Sequence, residues 1–295
     1  MSTVPAPVVV GADGSDSSLL AVDWAADAAA RRGAPLRVVY GSLWEHYDRI
    51  KPSFSAERDE EPELAARLVA SAAERARLRQ PVIGVDHEVL PDDAVTALLK
   101  EAASARAVVV GRRGRGELTD MLLGSTSLTV AARASCPVVV VRGGPTSVGG
   151  AFGRVLLAVG DQEDGTAGVS APAAFALDEA AARGGELVAL RAWRRHAPDA
   201  SASGDAQAAV RLTDAALGQG RAGVVVRREV VEGPPRRALL AAAADADLLV
   251  VGAHRHRRHA LDLQLGATSH ALLHHAPCPV AVVPYGDGAA ERETG

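Results

Sequence analysis

Cysteine is nearly absent from this chain: there are two in 295 residues, Cys136 and Cys278. A secreted framework stapled by disulfides carries more, so the count argues against one. Aromatic residues make up 3% of the chain, too few for the stacking platforms that hold single-stranded nucleic acid. Lysine occurs only at Lys51 and Lys100, so arginine supplies nearly all of the 32 basic side chains. The formal net charge of −4 provides no global basic field for DNA or RNA. No uncharged apolar run reaches the roughly 18 residues that a membrane-spanning helix needs. The opening segment, MSTVPAPVVVGADGS, lacks the positive region and long apolar run of a signal peptide. The expectation is a cytoplasmic protein whose partners are neither nucleic acid nor membrane.

Hydrophobic residues at 48% and charged residues at 23% are ordinary globular usage. At roughly 150 residues per domain the length suggests two domains. The chain in fact repeats once. RASCPVVVVR recurs as HAPCPVAVVP, RAVVVGRRG as DLLVVGAHR, and PVVVGADGSD as RVLLAVGDQED, always in the same order. The expected domains are 1–144 and 152–295, joined by a linker at 145–151. Each cysteine sits at the same place in its copy, before an apolar strand, and so reads as a small core residue rather than half of a bridge.

Each copy alternates strand and helix signals. In the first, strands are expected at Pro7–Gly11, Leu36–Tyr40, Pro81–Leu90, Ala107–Val110 and Val138–Val141. Helices are expected at Ser15–Arg32, Pro62–Gln80, Asp92–Ser104 and Gly124–Ala134, with Ser15 as an N-cap and Gly33 as a stop. The second copy places strands near Val155–Val159, Leu187–Ala192, Val224–Val231, Leu248–Val251 and Val280–Val283. Valine runs separated by helices indicate buried parallel strands. The fold class is therefore α/β: two tandem open five-stranded parallel sheets flanked by helices, Rossmann-like.

Ligands of such sheets bind beyond the carboxyl ends of the strands, where strand order reverses. Two loops of the first copy qualify. One is Gly11-Ala12-Asp13-Gly14-Ser15. The other is the stretch after Val110, Gly111-x2-Gly114-x9-Gly124-Ser125, which leads into a helix. Glycines permit close approach of backbone N–H groups to phosphate oxygens. Gly124, Ser125 and Thr126 fall at a helix N-terminus, where free amides and the dipole favour an anion. Arg112, Arg113 and Arg115 add local positive charge. The alternative for Asp13 is a purely structural role as an Asx turn or helix cap.

These motifs resemble the universal stress protein family. Gly111, Gly114, Gly124 and Ser125 match its Gly-x2-Gly-x9-Gly-(Ser/Thr) pattern without a gap. Asp13-Gly14-Ser15 matches its aspartate after the first strand, and SCPVVVVR its final strand. The resemblance covers both copies. It implies an adenine nucleotide site, usually for ATP, with or without Mg. Asp13 would lie near adenine and ribose, Gly111 and Gly114 near ribose and phosphates, Gly124 and Ser125 at the phosphates, and the backbone at Tyr40-Gly41 against the adenine. The implied role is a nucleotide-dependent stress-response switch acting on an unknown protein partner.

The second copy departs from the pattern. Arg255 stands where the second glycine belongs, Gly266 is followed by Ala267, and the turn holding Asp161 is acidic. This copy is expected to bind ATP weakly or not at all. Six of nine histidines fall between His254 and His275, and the i, i+4 spacing of His270 and His274 reads as a metal site, a pH sensor or a solvated basic face. Two alternatives to the switch stay open. One is an ATP-hydrolysing enzyme of the PP-loop kind, with Asp13 or Glu117 orienting water, although Ala12-Asp13 replaces that motif's first two residues and no acid–base pair or metal triad is evident. The other is a nucleotide-free interaction scaffold. The apolar last strands, Val138–Val141 and Val280–Val283, are expected to pair within the chain as a pseudo-dimer. Two tandem chains could associate further as a homodimer.

Overall fold

Valine-rich segments become strands because β-branched side chains pack well on a pleated, covered surface. The computed structural model describes residues 5–43, 60–113, 123–160, 169–194, 202–218, 220–253 and 265–285. Gly114, Arg115, Glu117, Asp161 and His254–His259 lie outside the described residues. The chain divides into two units, Met1–Val141 and Arg142–Gly295.

The first unit contains strands β1 (Val8–Gly11), β2 (Leu36–Gly41), β3 (Val85–Leu90), β4 (Ala107–Gly111) and β5 (Val138–Val141). Its helices are α1 (Asp16–Arg32), α2 (Glu60–Arg79), α3 (Ala94–Glu101) and α4 (Ser125–Arg133). Its strand order is β3-β2-β1-β4-β5, and the pairs are parallel. The order reverses between β1 and β4, which opens a crevice at their carboxyl ends.

The second unit begins with a helical turn, α5 (Pro145–Val148), in the stretch expected as a linker. Its strands are β6 (Arg154–Ala158), β7 (Glu186–Trp193), β8 (Val225–Glu232), β9 (Leu248–Ala253) and β10 (Val280–Pro284). Its longer helices are α6 (Ala171–Arg183), α7 (Ala202–Leu217), α8 (Pro235–Ala242) and α9 (Ala267–His275). The order β10-β9-β6-β7-β8 is again parallel and reverses between β6 and β9.

The core strands are dry: Val9, Val108, Val139, Leu156 and Leu249 are fully buried. The edges differ from the expectation of strands covered on both faces. In β3 the residues Asp86, His87 and Glu88 are exposed, and β8 is mostly exposed. Charged residues on an edge strand discourage pairing with other chains. Asp86 and Glu88 both bind Arg37 of the neighbouring β2, which also takes Glu101 of α3 at 2.8 Å. The third strand starts at Val85 rather than Pro81 because Ile83 closes a turn onto the Gln80 carbonyl at 3.3 Å.

Helix α1 shows how composition becomes packing. Ser15 accepts from the Ser18 amide at 3.2 Å and starts it, and Gly33 stops it at φ 58°. Ala21, Ala25, Ala28 and Ala29 are buried, and their small side chains let the helix lie close to the sheet. Its outer side meets α2 through two paired forks. Arg75 grips Asp23 at 2.7 and 2.6 Å, and Arg79 grips Asp27 at 2.9 and 2.7 Å. Burial alone would raise the pKa of Asp27, but bonds from Arg79 and Gln80 hold it below the usual carboxylate range.

The apolar strands therefore carry far more stability than the surface ion pairs. Leu156→Ala should destabilise the protein by about 2–5 kcal/mol, the usual range for truncating a buried leucine. Arg67→Ala, which removes an exposed pair with Glu63, should cost under about 0.5 kcal/mol. Urea denaturation of the two variants checks the contrast.

Candidate functional site

The turn after β1 is built by its own side chains. Gly14 has φ 79°, a conformation that L side chains rarely adopt. Asp13 Oδ1 accepts from the Ser15 amide at 3.0 Å and from the Ser15 hydroxyl at 2.6 Å, which closes an Asx turn. The Asp13 amide donates to Ser18 Oγ at 3.3 Å. Asp13 thus holds the turn in shape and also lines the crevice.

The end of β4 is equally constrained. A Cβ at Gly111 would lie 2.6 Å from the Ser17 carbonyl oxygen, so the glycine is required by the close approach of α1. The Gly111 carbonyl accepts from the buried Ser127 hydroxyl at 2.7 Å, and Ser17 Oγ accepts from the Arg113 amide at 3.2 Å. The Gly124 amide donates to the Arg112 carbonyl at 2.8 Å. These bonds fix the first turn of α4 beside the β4 end. Its N-cap, Gly124, contributes no side-chain bond to the first-turn amides. Those amides and the helix dipole make the place electropositive.

The result is a cavity of about 350 Å³ at the β1–β4 reversal. It gathers Asp13, Gly41, Gly111, Gly124, Ser125 and Thr126, all of them expected from the sequence. Arg113 lines it, whereas Arg112 is absent from the described lining and serves the loop through its carbonyl. Gly114 lies outside the described residues. Sequence reasoning missed Ala94 and Leu98, which line the cavity from α3. The apolar face of that helix was the available signal, but only topology shows where it points. Gly41 belongs with them, because a Cβ there would lie 2.8 Å from the Ala94 main chain.

The second unit has a cavity at the corresponding place, of about 480 Å³. Strand register makes Val8 equivalent to Val155, Gly111 to Gly252, Tyr40 to Arg191 and Gly41 to Ala192. The lining has changed accordingly. Arg191 forms part of the wall, and the Tyr285 ring packs directly on Gly252, leaving no room for a Cβ there. The helix start keeps two hydroxyls, Thr268 and Ser269, but loses the serine equivalent of Ser125 to Ala267.

Comparisons with known proteins point the same way. The model of the universal stress protein family matches residues 6–142 and again 151–284. A universal stress protein of Mycobacterium tuberculosis is 33% identical over 288 residues, covering 93% of this chain and 96% of that protein. One from Mycolicibacterium smegmatis is 32% identical over 291 residues, covering 94% and 96%. The crystal structure of a universal stress protein from Archaeoglobus fulgidus superposes with a TM-score of 0.71 at 22% identity, covering 95% of this chain and 98% of that one.

The histidines of α9 do gather. The rings of His270 and His274 lie 4.5 Å apart, yet among the described residues no group of three His, Cys, Asp or Glu side chains could hold a metal. Burial, followed by the charges of His270, His275 and Arg142, lowers the His274 pKa below its ordinary 6.5. The unfolded chain then binds this proton more readily than the folded one. Stability is full above about pH 6.5 and falls as the pH drops through the lowered folded value. His274→Gln should flatten the loss of urea resistance between about pH 7 and pH 5, while the wild type weakens across that window.

Proposed function

The chain belongs to the universal stress protein family, and from that premise we propose that its first unit binds one adenine nucleotide, ATP by family resemblance, as a ligand-dependent switch. The observation that carries this reading is the cavity of about 350 Å³ in which Asp13, Gly41, Ser125, Thr126 and Arg113 meet. Such a volume sits at the lower end of small-molecule sites. The wall divides by chemistry. Leu98, Val39, Val110 and Ala94 offer an apolar surface to a flat base. Ser125 through Ser127 offer first-turn amides, and Ser125 and Thr126 add hydroxyls suited to a phosphate. Arg113 supplies a nearby positive charge. Asp13, held by Ser15, offers a carboxylate acceptor on the base and ribose side.

The second reading, a phosphate-cleaving enzyme, is not favoured by the lining. Among the described lining residues the only carboxylate is Asp13, and it accepts two bonds from Ser15. A switch needs only that the nucleotide prefer one arrangement of its loops. The ligand would join three separate segments: the β1–α1 turn, the β4 end and the α4 start.

Ser125→Asp separates phosphate binding from folding. A carboxylate at the first position of α4 suits the helix dipole, so stability should hold or rise slightly. The same charge should repel phosphate and weaken ATP and AMP binding about tenfold or more, a change of at least about 1.4 kcal/mol. Adenosine binding should be unaffected. Calorimetric titration with the three ligands is the check. No ATP binding by the wild type, or equal ATP affinity in the variant, would contradict the assignment.

A further inference from the structure

Ser17 is absent from the described lining of the first unit's cavity, yet it bears directly on the wall. Its hydroxyl accepts from the Arg113 amide at 3.2 Å, across 96 positions of the chain. Its carbonyl and hydroxyl oxygens each lie 2.6 Å from where a Cβ at Gly111 would stand. Ser17 is the second residue of α1, whose first turn is closed by the Ser15 cap on the Ser18 amide. The hydroxyl is therefore presented by a regular element rather than by a loop, which makes its placement precise.

The segment Gly111–Arg113 is held from two sides. From the α4 side, the Ser127 hydroxyl donates to the Gly111 carbonyl at 2.7 Å and the Gly124 amide donates to the Arg112 carbonyl at 2.8 Å. Those bonds reach only as far as residue 112. From the α1 side, Ser17 holds the Arg113 amide, and the Ser15 hydroxyl, which donates to Asp13 at 2.6 Å, lies 3.5 Å from the Arg113 carbonyl oxygen. Arg113 is the one cationic residue of the described cavity lining. Its main chain is thus tied to the same helix start that shapes the Asp13 turn.

Resting on the nucleotide reading of the first unit, we propose that Ser17 is a positioning residue for the phosphate end of the ligand. It fixes the Arg113 main chain and so sets where the Arg113 charge stands relative to the α4 start. It acts through Arg113 and does not touch the ligand itself. The adenine and ribose side of the cavity, bounded by Val39, Leu98 and Asp13, does not depend on this bond.

The test is a double-mutant cycle on the full chain, with ATP and adenosine titrated calorimetrically into the wild type, Ser17→Ala, Arg113→Gln and the double variant. Arg113→Gln keeps the amide that Ser17 accepts from and removes the charge. Ser17→Ala should weaken ATP about three- to tenfold, the range that a single hydrogen bond commands. Adenosine affinity should stay within about twofold of the wild type. The double variant should bind ATP no more weakly than Arg113→Gln alone, because residues acting through one another are not additive. A purely structural Ser17 would instead lower ATP and adenosine affinity alike and add to the Arg113→Gln loss. The proposal is overturned by that pattern, by Ser17→Ala binding ATP like the wild type, or by a Ser17→Ala variant that does not fold. A wild type that binds no ATP refutes the nucleotide reading and this role with it. A wild type that binds ATP, with Ser17→Ala indistinguishable from it, removes the Ser17 role alone.

Discussion

The first site depends on one close approach, that of the α1 start to the end of β4. Gly111 leaves no space for a Cβ beside Ser17. Its carbonyl is held by Ser127, and its neighbour Arg113 is held by Ser17. Through these contacts one strand end positions two helix starts. The Asp13 turn and the α4 amides consequently border a single cavity rather than two separate loops. An added methyl group at Gly111 would push α1 outward and open that arrangement. Gly111 is therefore a packing requirement of the fold.

Much of this was legible in the sequence, for physical reasons. Capping chemistry is local, so Ser15 and Gly33 marked the limits of α1 correctly. Fully covered strands advertise themselves as valine runs, which located β1, β4 and β5. The Gly-x2-Gly-x9-Gly-Ser spacing named Gly111, Gly124 and Ser125 of the cavity wall. Other features depend on distant partners. The exposure of β3 follows from its edge position, which no local pattern states. Leu98 and Ala94 enter the site because α3 crosses the end of β2, and Gly41 is glycine for that same crossing. Arg113 and Arg112 are indistinguishable as sequence, and only the fold shows that Arg113 lines the cavity.

The two copies show how one scaffold holds two differently lined cavities. Strand order, register and the reversal point are retained, and the mycobacterial relatives extend across both copies. The linings at the carboxyl ends of the strands differ between the copies. Ala192 has the Cβ that Gly41 lacks. Tyr285 fills the space over Gly252, and Arg191 brings in a buried cation. Substitutions at strand ends can then change the ligand while the fold stays the same.

The central claim is that a single nucleotide site exists in the chain and that it lies in the first unit. Its most direct test is the stoichiometry and identity of nucleotide bound by the full chain at saturation, released by denaturation and separated chromatographically. The account predicts one adenine nucleotide per chain. Two equivalents would place nucleotide in the second unit as well, and none, or a base other than adenine, would contradict the assignment of the first.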